Sequence, residues 1–421
     1  MSTQNYDVLI VGGGPAGAAA GLRLAQAGLR VAILEKATLP RVKPCGGGLT
    51  YRILARFPQL QAHIERLVLN RVDTIHFYAP DLSCVRYTYP EPLVLMIRRA
   101  EFDAMLIKQC QLAGVTVVTA ARVNDLTVQA AGVAVKTSGG ETFFAKALIG
   151  ADGVNSIVAR KTGLRKSWTR AQVAASLVAE IPRAELAFQD QTAISILFGL
   201  SGFGYGWVFP KQQYVNLGVA GLRVTRQDPT IRTVYAQFLR LLANQGLIPP
   251  SFEPQNARGG LIPLKGVLPQ TQTGRVLLCG DAAGFVNAFT GEGIYYAMVS
   301  GDLAAQTLAQ AFRQNDFSVS ALARYQTAWQ AEIGAEITES LGLQQRLCAN
   351  VRFTNLLVRT VEAHPRMKKI FADYFMGKMT YAALKHELIW RFLPQYLKLQ
   401  CLKMFDYLKK SCHEGAQTRR S

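Results

Sequence analysis

Tyr6-Asp7-Val8-Leu9-Ile10-Val11-Gly12-Gly13-Gly14-Pro15-Ala16-Gly17 is the stretch that decides the fold of this chain. Its apolar first half predicts a buried strand, its glycines a tight turn, and the small residues that follow a helix to Ala27. A second predicted strand ends at Glu35, 23 residues after Gly12. Strand, glycine turn, helix, strand and acid in this order are the pattern of a Rossmann-type dinucleotide-binding fold.

Each part of this pattern has a physical task. Gly12 permits the turn, Gly14 lets the backbone approach a pyrophosphate, and Gly17 lets the helix pack close to the strand. The helix N-terminus offers unpaired N–H groups and a positive partial charge to the phosphates. Glu35 is placed to accept hydrogen bonds from a ribose, whereas a buried glycine turn without a ligand would leave this acid unexplained.

The composition is that of a folded intracellular protein. The chain has 421 residues, enough for two or three domains, and 49% of them are apolar. Its seven cysteines form no CxxC pair and its five histidines are dispersed, which predicts reduced thiols and no metal site. We expect neither a signal peptide nor a membrane-spanning helix, and therefore a cytoplasmic protein.

The net charge of +19 is concentrated at the C-terminal end of the sequence. Residues 341–421 hold 15 Lys and Arg against 5 Asp and Glu, which gives +10. The charge suits an anionic membrane surface, a diphosphate substrate or an acidic electron carrier, and a solvated basic surface would explain it equally well. No nucleic-acid-binding motif accompanies it, so nucleic acid is not a predicted partner.

The pattern along the chain predicts a mixed α/β (α+β) architecture. Residues 40–49 form a predicted loop, and Thr50 is expected to cap a short helix. Alternating apolar strands between 171 and 222 predict a second, antiparallel sheet inserted into the nucleotide-binding domain. The predicted division is a discontinuous nucleotide-binding domain of 1–75, 95–165 and 270–320, an antiparallel-sheet substrate domain of 76–94 and 166–269, and a basic helical C-terminal region of 321–421.

A late strand and the loop after it suggest where a flavin would lie. Asp281 follows the apolar run 276–279, where its carboxylate can bind ribitol hydroxyls. The loop then delivers Thr290-Gly291-Glu292-Gly293 to the start of a predicted helix. The positive end of that helix, next to a flavin ring, would stabilise the reduced ring, although an ordinary capped helix would look similar in sequence.

These motifs carry a resemblance to known flavoproteins. Gly12–Gly17, Arg99–Asp103, Gly150–Gly153 and Gly280-Asp281 resemble the FAD-binding signatures of the p-hydroxybenzoate hydroxylase-like superfamily. Two further motifs are similar to those of the geranylgeranyl reductase family: Pro44-Cys45-Gly46-Gly47-Gly48-Leu49, and Tyr205-Gly206-Trp207-Val208-Phe209-Pro210 with Gly218 eight residues on. The sequence departs from the family at Ala220, where a second glycine is common.

The resemblance implies FAD as the cofactor and saturation of isoprenoid double bonds as the activity. Together with the opening motif it assigns FAD contacts to Gly12, Gly14, Ala16, Gly17, Glu35, Lys36, Cys45, Gly46, Gly47, Gly48, Arg99, Val123, Asp152, Asp281, Gly291, Gly293 and Ile294. It assigns the lipid tunnel to Tyr205, Trp207, Phe209, Pro210 and Gly218. Cys45, beside the flavin ring, and Tyr205 are the candidate catalytic proton donors.

The residues support an apolar site on physical grounds. Tyr205, Trp207 and Phe209 alternate with a period of two, so a strand presents all three to one face. Such a face can line a tunnel for an isoprenoid, which offers no hydrogen bonds, but it can also pack into a core. The substrate is predicted to be geranylgeranyl diphosphate, a prenylated lipid, a chlorophyll precursor or a quinone side chain.

Two other functions are compatible with the same motifs. An aromatic monooxygenase or a flavin halogenase uses a similar FAD domain, and the halogenase motif Trp-x-Trp-x-Ile-Pro resembles Tyr205–Pro210. A lipid carrier that keeps FAD for structure is a further alternative. The Pro44–Leu49 loop favours the reductase over the monooxygenase and the halogenase.

The electron donor is predicted to dock transiently, because the chain has no second GxGxxG motif after a strand. NADPH and reduced ferredoxin are both open, and the positive charge suits acidic ferredoxin. Apolar residues and cations intermingle from Lys385 to Lys410, which predicts either a helix lying on a membrane interface or an ordinary packed terminal helix.

Overall fold

The computed structural model describes residues 5–186, 190–200, 204–254, 256–348, 350–387 and 390. The strands are β1 Asn5–Val11, β2 Val31–Leu34, β3 Gly48–Thr50, β4 Asn70–Val72, β5 Thr74–Tyr78, β6 Cys84–Thr88, β7 Val94–Met96, β8 Thr116–Val118, β9 Val123–Gln129, β10 Gly132–Thr137, β11 Thr142–Gly150, β12 Val173–Pro182, β13 Ala193–Phe198, β14 Gly204–Lys211, β15 Tyr214–Gly221, β16 Arg258–Pro263, β17 Gln272–Thr273 and β18 Val276–Leu278.

The helices are α1 Pro15–Gln26, α2 Arg52–Arg56, α3 Gln61–Glu65, α4 Arg99–Leu112, α5 Ile157–Lys161, α6 Ile231–Asn244, α7 Ile294–Gln314, α8 Val319–Trp329, α9 Ala335–Cys348, α10 Val351–Ala363, α11 Pro365–Phe375 and α12 Tyr381–Glu387. A π-helical turn, Gln330–Gly334, joins α8 to α9. The C-terminal part of the described chain is therefore helical, as the sequence predicts.

The first sheet has the order β17-β18-β11-β1-β2-β8, and a β9–β10 hairpin extends it from β11. Strand β1 is parallel to both β11 and β2, which are its neighbours. Its residues from Val8 to Val11 are all buried, since helices cover a parallel sheet on both faces. Helix α7 packs on α1 at Gly301, where a Cβ atom would overlap the carbonyl oxygen of Ala16. The opening stretch thus forms the centre of the domain, as predicted.

The second sheet has seven strands in the order β16-β12-β15-β14-β13-β5-β6. Its pairs are antiparallel except β13–β5, which is parallel, so the sheet is mixed rather than purely antiparallel. Strand β5 begins at Thr74 and crosses the predicted boundary between residues 75 and 76. The exact domain boundaries stay a prediction. Helix α6 packs on one face of this sheet with Phe238 buried.

A small third sheet, β3-β7-β4, contacts β14 of the second sheet through β7 and helix α7 through β3. It corrects the end of the loop predicted at 40–49 and the helix cap predicted at Thr50. Gly48–Thr50 pairs with β7 as a strand, and α2 begins only at Arg52 after Tyr51, with no side-chain cap. Thr50 does not cap the helix because it belongs to β3, two residues before Arg52; its hydroxyl instead donates a hydrogen bond to Glu292, at 2.6 Å.

The predicted interfacial segment, 385–410, lies outside the described residues except for 385–387 and 390. Among the helices that the structure does describe, none combines the length and the apolar character needed to cross a bilayer.

Candidate functional site

A cavity of about 870 Å³ opens where the first sheet, the second sheet and the loop before β3 converge. This volume lies within the ~300–1,000 Å³ range of ligand pockets. Nineteen of the predicted site residues line it: Gly12, Gly14, Ala16, Glu35, Lys36, Cys45, Gly46, Gly47, Gly48, Arg99, Val123, Asp152, Tyr205, Trp207, Phe209, Asp281, Gly291, Gly293 and Ile294.

Three predicted site residues are not among those that line the cavity. A Cβ atom at Gly17 would overlap the carbonyl oxygen of Gly12, so this glycine serves the packing of α1 on the turn. Pro210 alternates with Phe209 along β14 and so belongs to the opposite face of the strand. A Cβ atom at Gly218 would overlap the Trp207 ring, so Gly218 makes room for that ring.

The N-terminus of α1 faces the cavity without a side-chain cap. Gly14 is the N-cap residue and Pro15 follows it, so the N–H groups of the first turn are available to a ligand. Gly12 has a φ of +106°, which favours glycine, and a Cβ atom there would overlap the carbonyl oxygen of Ala151. A Cβ atom at Gly14 would meet only the Nη2 of Arg41, at 3.6 Å. The geometry is that of a phosphate-binding turn.

Glu35 lies at the end of β2, where its buried carboxylate is held by backbone donors. Its Oε2 accepts from the N–H of Gly13 at 2.7 Å and its Oε1 from the N–H of Ala37 at 3.0 Å. Arg41 bridges this carboxylate, at 3.5 Å, and that of Asp103, at 3.1 Å. Sequence reasoning missed Arg41, although a cation two residues ahead of the Lys43-Pro44-Cys45 segment was visible.

Arg99 occupies the first turn of α4 and pairs with Asp103 one turn on. Its Nε and Nη2 donate to the two carboxylate oxygens at 2.8 and 2.9 Å. Burial lowers the pKa of Arg99, but the carboxylate of Asp103 raises it by more, so the net pKa lies above its ordinary value and the guanidinium stays charged beside the cavity. The Cys45 thiol in turn accepts a hydrogen bond from the N–H of Gly47 at 3.4 Å.

The N-terminus of α7 faces the same cavity as that of α1. Its N-cap, Gly293, also provides no side-chain cap, so this second helix likewise presents free N–H groups. The Tyr205 hydroxyl donates to the carbonyl oxygen of Thr290 at 2.7 Å. A Cβ atom at Gly291 would overlap that hydroxyl, and the φ of Gly291 is +68°. The loop before α7 is therefore tied to the aromatic strand.

Asp152 supplies a further test of whether a polar ligand fits. Its Oδ2 accepts from the N–H groups of Ile157 and Val158, at 2.7 and 3.2 Å, at the start of α5. Its Oδ1 is buried and has no hydrogen-bond partner, and burial raises the pKa of this carboxyl group. Two uncapped helix ends and an orphaned buried oxygen in one cavity fit an elongated dinucleotide with hydroxyl donors.

Aromatic side chains form one wall of the cavity. The ring centroids of Tyr205 and Trp207 lie 5.9 Å apart, and those of Trp207 and Phe209 lie 6.2 Å apart. A Cβ atom at Gly46 would lie 2.8 Å from the Phe209 ring, so the loop before β3 rests against this wall. Further apolar residues complete the compartment: Val94, Val178, Ile194, Ile262, Phe375 and Met376.

A buried polar network behind this wall was not predicted. Asn216 accepts from the indole Nε1 of Trp207 and donates to the carbonyl oxygen of Cys45. Lys211, whose side chain is 1% exposed, forms an ion pair with Glu180. A Cβ atom at Gly47 would lie 3.0 Å from the Lys211 amine. The one sequence signal was an amide and a lysine in strands of otherwise apolar residues.

Comparison with known proteins places this geometry in a family. The model of the family described as "FAD binding domain" matches residues 5–333 of this chain. A relative of uncharacterised function from Methanosarcina barkeri is 33% identical over 324 residues, 77% of this chain and 80% of that protein. Digeranylgeranylglycerophospholipid reductase 2 of Methanococcoides burtonii is 29% identical over 354 residues, 80% of this chain and 83% of the enzyme.

Solved structures share the fold. A geranylgeranyl bacteriochlorophyll reductase-like protein of Thermoplasma acidophilum matches with a TM-score of 0.76 at 23% identity, covering 92% of this chain and 99% of its own. The flavin-dependent halogenase CmlS matches with a TM-score of 0.63 at 22% identity, over 78% of this chain and 62% of its own. The chain therefore belongs to the FAD-binding-domain family of FAD-dependent oxidoreductases.

Proposed function

We propose that this protein saturates carbon–carbon double bonds of an isoprenoid chain at the expense of reduced FAD. The observation that carries the proposal is the composition of the cavity. Two uncapped helix ends and the polar residues around them occupy one part, and the aromatic wall of Tyr205, Trp207 and Phe209 occupies another. A dinucleotide and an apolar chain would thus share one enclosed space.

FAD, when bound, supplies the hydride chemistry that such a reduction needs. The chain supplies orientation and an environment without water, which matter because an isolated alkene is not activated. We assign the FAD contacts to the predicted residues that line the cavity and the lipid contacts to Tyr205, Trp207 and Phe209. Gly218 and Asn216 act through Trp207, whose ring and indole nitrogen they position.

A proton must reach the second alkene carbon, and Cys45 is the residue that we assign to this step. Its thiol lies in the cavity on the loop that rests against Phe209 and Trp207. Tyr205 is the second candidate, but its hydroxyl proton is directed to the carbonyl oxygen of Thr290. This hydrogen bond favours Cys45 as the proton donor and Tyr205 as a residue that positions the loop.

The electron donor is an anionic molecule, NADPH or reduced ferredoxin. Six cationic residues line the cavity, two of them paired with Asp103: Lys36, Arg41, Lys43, Arg99, Arg122 and Arg160. Their charge, within a net charge of +19, favours association with either donor. Turnover with each donor at increasing salt concentration will show which of the two works and whether the attraction is electrostatic.

We further propose that the protein meets its lipid at an anionic membrane surface through its basic C-terminal end. Residues 341–421 carry +10, and the described helix α10 exposes Val351 and Phe353. Flotation with anionic vesicles tests this. Binding should fall when residues after Leu393 are deleted, and unchanged flotation would contradict it.

Anaerobic turnover distinguishes the proposed reductase from its two alternatives. We expect a geranylgeranyl lipid to be reduced without oxygen, by NADPH or ferredoxin. An aromatic monooxygenase or a halogenase would need oxygen to form product. A lipid carrier would retain FAD that NADPH, ferredoxin and dithionite all fail to reduce.

A further inference from the structure

Glu292 stands at an electrostatically sensitive position, immediately before the N-cap residue of α7. It lines the cavity, and its side chain is 14% exposed. A carboxylate beside a helix N-terminus cancels part of the positive partial charge that the N–H groups create. If it were uncompensated, Glu292 would weaken the feature of α7 that favours negative charge in the cavity.

Arg52 compensates this carboxylate. Its Nη2 forms an ion pair with the Oε2 of Glu292, and its Nη1 donates to the Oε2 of Glu336 at 2.9 Å. Thr50 donates to the other oxygen of Glu292 at 2.6 Å. Both carboxylate oxygens of Glu292 are thereby fixed.

The guanidinium of Arg52 is enclosed on its remaining sides. Its Cζ lies 3.8 Å from the centroid of the Tyr295 ring and 4.9 Å from that of Tyr296. A Cβ atom at Gly377 would lie 2.9 Å from the guanidinium. Burial lowers the pKa of Arg52, but the neighbouring carboxylates of Glu292 and Glu336 raise it by more, so the net pKa lies above its ordinary value and the group stays protonated.

We propose that Arg52 sets the reduction potential of the bound flavin by neutralising Glu292 at the N-terminus of α7. The inference rests on the FAD site proposed above and not on the isoprenoid substrate. Uptake of two electrons and one proton leaves one additional negative charge on the flavin. A nearby uncompensated carboxylate opposes this charge, and the Arg52–Glu292 pair avoids the penalty.

The test is the midpoint potential of the bound FAD, measured anaerobically against a reference dye without substrate or donor. Arg52→Met leaves the carboxylate unpaired and should lower the potential. Glu292→Gln leaves the cation in place and should raise it. Each change should alter the ratio of reduced to oxidised flavin about tenfold, which is ~30 mV for a two-electron couple. The double variant should return close to the wild-type potential.

Arg56→Met is the matched control, because Arg56 lies on the same helix and is also salt-bridged. It pairs with Asp302 and Glu332, and neither it nor these partners line the cavity. The midpoint potential of FAD bound to Arg56→Met should equal that in the wild type. The same holds for Arg52→Lys, which keeps the charge.

Shifts of the same sign in Arg52→Met and Glu292→Gln, or shifts no larger than that of Arg56→Met, would overturn the inference. If Arg52→Met does not retain FAD, Glu292→Gln decides alone, and an unchanged or lowered potential overturns the inference. A wild-type protein that cannot be loaded with FAD overturns the proposed function together with it.

Discussion

The indole Nε1 of Trp207 donates a hydrogen bond to the Oδ1 of Asn216 at 2.7 Å, and the Nδ2 of the same amide donates to the carbonyl oxygen of Cys45 at 3.1 Å. Asn216 is 1% exposed, so neither bond is exchanged easily for one with water. One buried amide thus joins the aromatic wall to the loop that carries the candidate proton donor.

Replacing Asn216 by leucine should destabilise the protein strongly. The change leaves the Trp207 indole and the Cys45 carbonyl group without this partner, at about 1–3 kcal/mol for each buried group left unpaired. Urea unfolding of the FAD-loaded protein measures the loss. Asn244→Leu, at an exposed position in α6, is the control and should change the free energy of unfolding by less than about 0.5 kcal/mol. Equal stability of the two variants would contradict the role of Asn216.

Gly218→Ala should displace the Trp207 ring. The added Cβ atom overlaps the ring, and overpacking of a buried site costs about 1–3 kcal/mol. Near-ultraviolet circular dichroism should show the altered indole environment. Gly259→Ala, in β16 of the same sheet, has its nearest contact at 3.9 Å and should leave the spectrum unchanged. A wild-type spectrum for Gly218→Ala would show that the wall adapts without loss.

Asp302→Asn should lower the free energy of unfolding of the protein at pH 7 but not in acid. Burial raises the pKa of Asp302, yet hydrogen bonds and charges from Arg23 and Arg56 lower it more, so the net pKa lies below its ordinary value. A depressed carboxyl pKa contributes stability above the unfolded pKa of ~3.9, and that stability is lost as pH falls through the folded value.

The loss at pH 7 should be about 1–3 kcal/mol, because hydrogen bonds to two charged partners, at 2.6 and 2.8 Å, are replaced. Urea unfolding of both proteins from pH 7 down to pH ~3 measures the difference. The difference in free energy of unfolding between the wild type and Asp302→Asn should narrow as the pH falls. A constant difference would contradict the contribution of the depressed Asp302 pKa to stability. Glu253→Gln, which changes an exposed carboxylate, is the control and should have the same free energy of unfolding as the wild type at either pH.

Cys45→Ser separates the catalytic role of the thiol from a packing role. A serine hydroxyl is a much weaker acid than a thiol, so we expect FAD content close to that of the wild type and turnover lowered at least tenfold. Absorbance of the flavin and product formation under anaerobic conditions measure the two quantities. Unchanged turnover at full FAD content would reject Cys45 as the proton donor.

Those parts of the site that depend on residues close together in the sequence could be predicted from it. The turn at Gly12–Gly17 and the alternation of Tyr205, Trp207 and Phe209 are local patterns, and both lie in the structure as expected. The Thr50–Glu292 and Arg52–Glu292 contacts join residues 242 and 240 positions apart, and no local periodicity specifies such pairs. Thr50 was therefore misread as a helix cap.

The apolar end of the cavity likewise depends on residues that are distant from one another in the sequence. Phe375 and Met376 reach it from the end of α11, in a region that the sequence marked only as helical and basic. The resemblance assigns Gly218 to the lipid tunnel, and strand pairing places it opposite Trp207, whose ring it accommodates. Register between strands, rather than spacing along one strand, decided that contact.

A single-turnover experiment tests whether the reduced protein itself saturates an isoprenoid double bond. FAD-loaded protein is reduced anaerobically with dithionite, freed of excess reductant and mixed with a geranylgeranyl lipid. We predict that flavin absorbance returns without oxygen and that mass spectrometry finds two hydrogen atoms added to one double bond per flavin oxidised. Flavin that stays reduced until oxygen is admitted, with the lipid unchanged, would contradict it.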